Sequence, residues 1–324
     1  MPSCCTAILK LNTIAMNDIR IDRQFRPMAS AVPCVLCLGN FDGVHKAHAM
    51  LVHTAAALAD RLGAVPGAFC FTRPSGDYLL DNAPPHLAST HGRLSLLFDA
   101  GAQLALLAPF PAMREMSAEQ FLGYLEKQGC VGVVCGDDFR FGKRAAGNAA
   151  TLLSHFGAER TVIVPPQSLA DGQRISSSAV RALLTKGNVE RAALMLGRHW
   201  TLDARVYHGK HLGSDWGFPT ANQYFPARGV IPAHGVYAVR CTVDGKTYNG
   251  VANVGLRPTV DGKQARVNCE TYLFDFTGDL YGKMLSTAFY THLRPERVFE
   301  SADALRAAIA NDAKQARRYF ANLK

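Results

Sequence analysis

Two textures of hydrophobic patterning divide this chain. In the first half, short apolar runs alternate with helical periods. Val32 to Leu38 is an apolar run that ends in Gly39-Asn40-Phe41-Asp42-Gly43. Leu51, Val52, Ala55, Leu58 and Leu62 then recur at helical spacing and stop at Gly63, which predicts an amphipathic helix closed by glycine. Ala68 to Phe71 and Leu104 to Leu107 are further apolar runs, with a helical pattern from Arg93 to Asp99 between them. Ser117 followed by Gln120 marks the start of another helix. Val131 to Cys135 and Thr161 to Val164 complete the predicted strands. Short strands alternating with helices imply a parallel sheet with crossover helices.

The second texture begins after Gly197. Arg205 to Tyr207, Gly235 to Val243, Lys246 to Val254, Arg266 to Phe276 and Lys283 to Tyr290 read as strands. Turn signals such as Asp244-Gly245, Asp261-Gly262 and Thr277-Gly278-Asp279 join them. Strands so spaced, without helices between them, predict an antiparallel barrel or sandwich. Ser301 to Leu323 reads as a closing helix, and Val189 to Gly197 as a linking helix. We therefore expect two domains, 30–187 and 198–324, which suits 324 residues.

Composition narrows the picture. An apolar fraction of 48% excludes a disordered chain. The nine cysteines are odd in number and scattered through apolar runs, which points to reduced, buried thiols. Cys34 and Cys37 form a C-x-x-C, but on a strand that spacing points to opposite faces, so packing is expected over a metal or redox role. No apolar run reaches the ~18 to 20 residues of a membrane span. Met1 to Asn17 lacks the pattern of a secretory signal, so the cytoplasm is the expected compartment. The net charge of +9 is spread out: 18 basic against 15 acidic residues up to 197, and 17 against 11 beyond. Without a long basic block, local phosphate sites are expected instead of a nucleic-acid face.

The first candidate chemistry lies between Gly39 and His48. A glycine-bearing turn that opens a helix gathers unpaired N–H groups and the positive end of the helix dipole, which suits phosphate. His45 and His48 share a helix face, and two imidazoles there can donate to phosphate oxygens. A metal pair or two surface histidines are the alternatives. The segment resembles the G-N-F-D-G-V-H-x-G-H signature of the prokaryotic bifunctional riboflavin kinase/FAD synthetase family. Gly136 to Gly142 is similar to that family's G-x-D-F-R-F-G, and Ile175 to Arg181 to its I-S-S-T-x-I-R. The resemblance implies an α/β, Rossmann-like nucleotidyltransferase domain with a parallel sheet, followed by an antiparallel β-barrel riboflavin kinase domain. It implies formation of FMN from riboflavin and then FAD from FMN, with ATP as co-substrate for both steps. Asn40, His45 and His48 would contact ATP phosphates, Asp138 would lie near the nucleotide, and Ser176, Ser177 and Arg181 would hold the triphosphate. Ala47 stands where the family usually has glycine, and Cys70 to Ser75 departs from its T-F-x-P-x-P loop.

The second candidate is Gly209 to Asn222, which resembles the family's run ending G-F-P-T-A-N. Glycine-rich loops let backbone amides surround phosphates, which the resemblance assigns to Gly213 and Gly217. It assigns Mg²⁺ to the Thr220 hydroxyl and the Asn222 carbonyl, both hard oxygen donors; a bare P-T-x-N is otherwise an ordinary turn. Glu270 falls on the family's catalytic glutamate, where a carboxylate accepts the proton of the ribityl 5′-hydroxyl. Arg294 falls on the flavin-side wall, or is a solvated charge. The partners implied are riboflavin, FMN, FAD and ATP, with no nucleic acid and no membrane. Two other readings are a monofunctional riboflavin kinase with a degenerate first half and a non-catalytic flavin or nucleotide sensor. Glu270, Thr220 and Asn222 speak against the sensor, because binding needs no proton acceptor.

Overall fold

The structure is a computed structural model that describes residues 19–22, 31–207, 220–257 and 266–323. By compactness the chain divides between Ser177 and Ser178. The first unit is built on a six-stranded sheet in the order β1-β4-β3-β2-β5-β8. Its strands are β1 (Ile19–Asp22), β2 (Cys34–Leu38), β3 (Val65–Phe71), β4 (Leu104–Ala108), β5 (Cys130–Gly136) and β8 (Thr161–Val164), and a separate antiparallel pair, β6 (Arg140–Phe141) and β7 (Gly147–Asn148), lies between β5 and β8 in the chain. All neighbours pair in parallel except β1, which runs antiparallel to β4 at the edge. Period two places the core on both faces. Cys34, Leu36 and Leu38 pack with Leu104 and Leu106, whereas Val35 and Cys37 pack with Ala105 and Leu107. The two cysteines thus point to opposite faces, as their spacing predicts.

All seven described cysteines are unpaired and buried. Burial pushes Cys34 up to about 11, and Cys241 and Cys269 up to about 12, which keeps them protonated thiols at neutral pH.

Helix α1 (Lys46–Leu62) buries Leu51, Val52, Ala55, Leu58 and Ala59 on the sheet and ends at Gly63, whose φ of 62° is a glycine-favoured cap. Next come α2 (Thr90–Asp99) and α3 (Ala118–Lys127), the latter opened by the Ser117–Gln120 capping box. Asn148 and Thr151 form a second capping box at α4 (Ala149–Phe156), which the residues permit but the sequence reading does not mark. Strand order reverses at β2, which has β3 on one side and β5 on the other. Doubly wound sheets form their ligand crevice at such a switch point, outside the carboxyl ends of the strands.

The second unit opens with helices α5 (Ser177–Thr185, crossing the division) and α6 (Val189–Leu196). A closed antiparallel barrel follows, in the order β10-β13-β12-β11-β14-β9. Its strands are β9 (Thr201–Tyr207), β10 (Thr220–Tyr224), β11 (Gly235–Val243), β12 (Lys246–Arg257), β13 (Arg266–Leu273) and β14 (Met284–Pro295). Helix α7 (Ala302–Asn322), capped by Ser301, packs Ala313, Ala316 and Phe320 onto Val236, Ala238, Val251 and Phe274. The alternate residues Tyr237, Val239 and Cys241 are buried too, so β11 is covered on both faces.

Strand β10 has no apolar alternation because its polar side chains are satisfied inside. Gln223 donates to the carbonyls of Ala204 and Leu285, at 3.0 and 2.7 Å, and accepts from Thr287 at 2.7 Å. A buried polar network that is fully satisfied can replace an apolar one.

Candidate active sites

A cleft of about 1080 Å³ opens at the switch point of the first unit. Asn40, His45 and His48 from the turn after β2, Asp138 beyond β5, and Ser176 and Ser177 before α5 all line it. Residues remote in sequence are therefore brought together as the motifs imply.

The turn is strained and braced. Phe41 and Val44 lie at positive φ, 51° and 36°, a conformation that costs on the order of 1–3 kcal/mol per residue. Gly43 has φ 76°, and a Cβ there would meet Leu87 Cδ1 at 2.7 Å, so only glycine fits. The Phe41 ring is fully buried. The buried Asp42 carboxylate accepts from the Leu87 amide at 3.0 and 3.1 Å and from the Ala88 amide at 3.4 Å. Ser177 Oγ donates to the Asp42 carbonyl at 2.8 Å, so its hydroxyl braces the turn from the opposite wall.

His45 caps α1: its Nδ1 accepts from the His48 amide at 3.3 Å, which leaves the proton of the neutral ring on Nε2. The two rings stack at 3.7 Å and 11°. Burial holds His48 well below the ordinary histidine range, and the charges of His45 and Arg93 push the same way. His48 is thus a neutral imidazole at pH 7.

Arg93, on α2, is 2% exposed. It donates to the carbonyls of Asn40, Phe71 and Thr72 at 3.1, 2.6 and 3.2 Å. No motif marks Arg93. The legible signal is a charge on the apolar stripe of Leu94, Leu97 and Phe98, where a cation needs partners.

Asp138 is exposed and accepts from Arg174 at 2.7 Å, a surface pair of small energetic weight. Ala47 lines the cleft. Arg181 lies one turn into α5 in the second unit, and the cleft lining does not include it.

In the barrel, Thr220 Oγ1 donates to Glu270 Oε1 at 2.6 Å. Thr220 and Asn222 share one face of β10, and Glu270 stands opposite Asn222 on β13. Asn222 is buried, and its Oδ1 accepts from Asn268 Nδ2 at 3.0 Å, which turns the amide oxygen and nitrogen into defined roles. A hydroxyl, an amide carbonyl and a carboxylate form a hard, all-oxygen set. It fits Mg²⁺, which takes few protein ligands and keeps waters and substrate phosphates. Gly213 and Gly217 lie outside the described residues.

Arg294 is not a solvated charge. It grips Asp312 of α7 at 2.9 and 2.7 Å and stacks over Phe299. Asp312, 4% exposed at its side chain, has no sequence signal beyond being an acid on the inner face of α7. Asp312→Asn is expected to cost about 3 kcal/mol, because it leaves a partly buried guanidinium without its anion. Thermal unfolding measures this loss.

Both halves match known families. Residues 28–179 match the FAD synthetase family model and residues 196–320 the riboflavin kinase model. A Haemophilus influenzae protein named bifunctional riboflavin kinase/FMN adenylyltransferase is 34% identical over 296 residues, covering 89% of this chain and 94% of its own. An Escherichia coli K12 protein of the same name is 36% identical over 294 residues, 89% of this chain and 93% of its own. A solved Streptococcus pneumoniae chain called a macrolide-efflux protein superposes with a TM-score of 0.80 at 27% identity, covering 91% of this chain and 97% of its own. Among the described residues no helix is long and apolar enough to cross a membrane. With two family models spanning both halves, and relatives matched along almost their whole length, the chain belongs to the bifunctional riboflavin kinase/FMN adenylyltransferase family.

Proposed function

We propose that residues 198–324 phosphorylate riboflavin to FMN and that residues 30–187 transfer the adenylyl group of ATP to FMN, giving FAD and pyrophosphate. The observation that carries this reading is that each half assembles its own phosphate-directed side chains: the histidine stack on a helix-opening turn, and the Thr220–Glu270 contact in the barrel.

In the kinase step, Glu270 takes the proton of the ribityl 5′-hydroxyl as that oxygen attacks the γ-phosphorus, and ADP leaves. Thr220 and Asn222 hold Mg²⁺, which when bound neutralises charge on the phosphates. Gly213 and Gly217 supply backbone amides to the phosphates. Arg294 serves the flavin side by anchoring α7 through Asp312.

In the adenylylation step, an FMN phosphate oxygen attacks the α-phosphorus of ATP. The protein's work there is alignment and charge stabilisation. Asn40, His45 and the neutral His48 donate to phosphate oxygens. Ser176, Ser177 and Arg181 hold the triphosphate, and Asp138 stands by the nucleotide. Buried, unpaired thiols suit a reducing compartment, so we place the enzyme in the cytoplasm.

A monofunctional kinase is the second reading, favoured by Ala47, whose methyl lines the cleft where the family usually has glycine. Product analysis with riboflavin, ATP and Mg²⁺ separates the two. FMN followed by FAD is expected; FMN alone selects the second reading; neither product removes both.

A further inference from the structure

We propose that Arg93 is the positioning residue of the adenylyltransferase cleft: its buried guanidinium fixes the His45–His48 turn by clamping the Asn40 carbonyl to the carbonyls that end β3. The clamp stands on contacts; that it serves adenylylation rests on the function proposed above.

The geometry is that of a three-way tie. Nη1 reaches Asn40 O in the signature turn, and Nη2 reaches Phe71 O and Thr72 O at the end of the neighbouring strand. Only a planar fork spans acceptors on two elements in this way. All three partners are neutral carbonyls, and Nε is buried with no hydrogen-bond partner. Among the described residues, no carboxylate pairs with this arginine. Among the described residues this buried cation thus has no counter-charge, and it stands beside the cleft that the signature turn lines. Such a charge opposes folding, and an anionic substrate is what it favours. The ionisable groups around it are His48 on α1, with His45 stacked on it, and Cys70 on β3. Asp42 is in the same turn, with its carboxylate engaged by the Leu87 and Ala88 amides. The guanidinium disfavours an imidazolium at His48, so it holds the turn in place and His48 neutral.

The test compares Arg93→Met, which keeps length but loses charge and fork, with Arg93→Lys, which keeps the charge. FAD formation from FMN and ATP should fall about 100-fold in Arg93→Met, the scale of a misplaced catalytic group, and to within about ten-fold of wild type in Arg93→Lys. The acid limb of the pH–rate profile should move to higher pH in Arg93→Met and stay in place in Arg93→Lys. FMN formation from riboflavin should be unchanged in both. Histidine-ring NMR titration of the substrate-free protein reads the same charge without turnover: His48 should titrate at higher pH in Arg93→Met only. FAD formation within about three-fold of wild type in Arg93→Met would overturn the proposal. So would equal losses in both variants with the acid limb and the His48 titration unmoved, which is what a mere prop predicts. Should Arg93→Met not fold, Arg93→Gln, which also removes the charge, takes its place with the same expected loss of FAD formation and the same shifts of the acid limb and the His48 titration. A wild-type chain that makes no FAD sinks the adenylyltransferase reading, and the His48 titration still decides whether Arg93 controls the pair.

Discussion

Glu270→Gln is expected to lower FMN formation from riboflavin by about 1000-fold, the loss of a general base. The substitution is nearly isosteric. Glutamine still accepts a hydrogen bond from Thr220, so the 2.6 Å contact and the β10–β13 register survive. Its amide cannot take a proton, and that is the only function removed. The effect should fall on kcat, with the KM for riboflavin little changed, because the proton moves only as the oxygen attacks. FAD formation from supplied FMN should continue at the wild-type rate, since Glu270 belongs to the other half. Initial rates of the two reactions, measured separately, check this. Undiminished FMN formation would remove Glu270 from the mechanism.

The second large effect is the reverse of the first. His45→Asn and His48→Asn are each expected to lower FAD formation by about 100-fold or more, as lost donors to developing phosphate charge do, while FMN formation persists. Asparagine at position 45 separates chemistry from structure. It is a good helix cap, so the bond to the His48 amide is replaced, whereas the imidazole Nε2–H is lost. The pH dependence has a definite sign. His48 titrates well below 6.5 when folded, so the unfolded chain binds its proton first. The stability associated with this group is therefore full above 6.5 and declines as the pH falls below it. FAD formation should hold its rate through neutrality and fail only on the acid side.

Much of this was legible because the inner strands of the first half are buried on both faces. Val131–Cys135 and Thr161–Val164 stand out as apolar runs, and the capping signals at Ser117 and Ser301 mark true helix starts. The barrel strand Gly235–Val243 is likewise found within its observed bounds. Among the strands of the six-stranded sheet and the barrel, two escape for different physical reasons. β1 is four residues long and lies at an edge, where one neighbour suffices. β10 reads T-A-N-Q-Y, and its buried Asn222 and Gln223 are polar because their partners lie on other barrel strands, Asn268 on β13 and the Leu285 carbonyl on β14. The site follows the same division. Asn40, His45, His48, Thr220 and Glu270 are visible in local motifs because their chemistry sits in adjacent residues. Arg93 and Asp312 are invisible as sites because each acts on a group far away in sequence, and only the fold supplies that group. Arg294, read as a flavin contact or a solvated charge, has an anion for a partner that no local pattern announces.

The central claim is that one chain carries two separate transfers from ATP, and the fate of the ATP phosphates tests it most directly. Riboflavin is incubated with the chain, Mg²⁺ and ATP labelled either at the α- or at the γ-phosphate, and FMN and FAD are resolved. The account predicts that γ-label enters FMN and is carried into FAD, whereas α-label enters FAD alone. Label from γ in FMN with no α-label in any flavin, at any time, would contradict it.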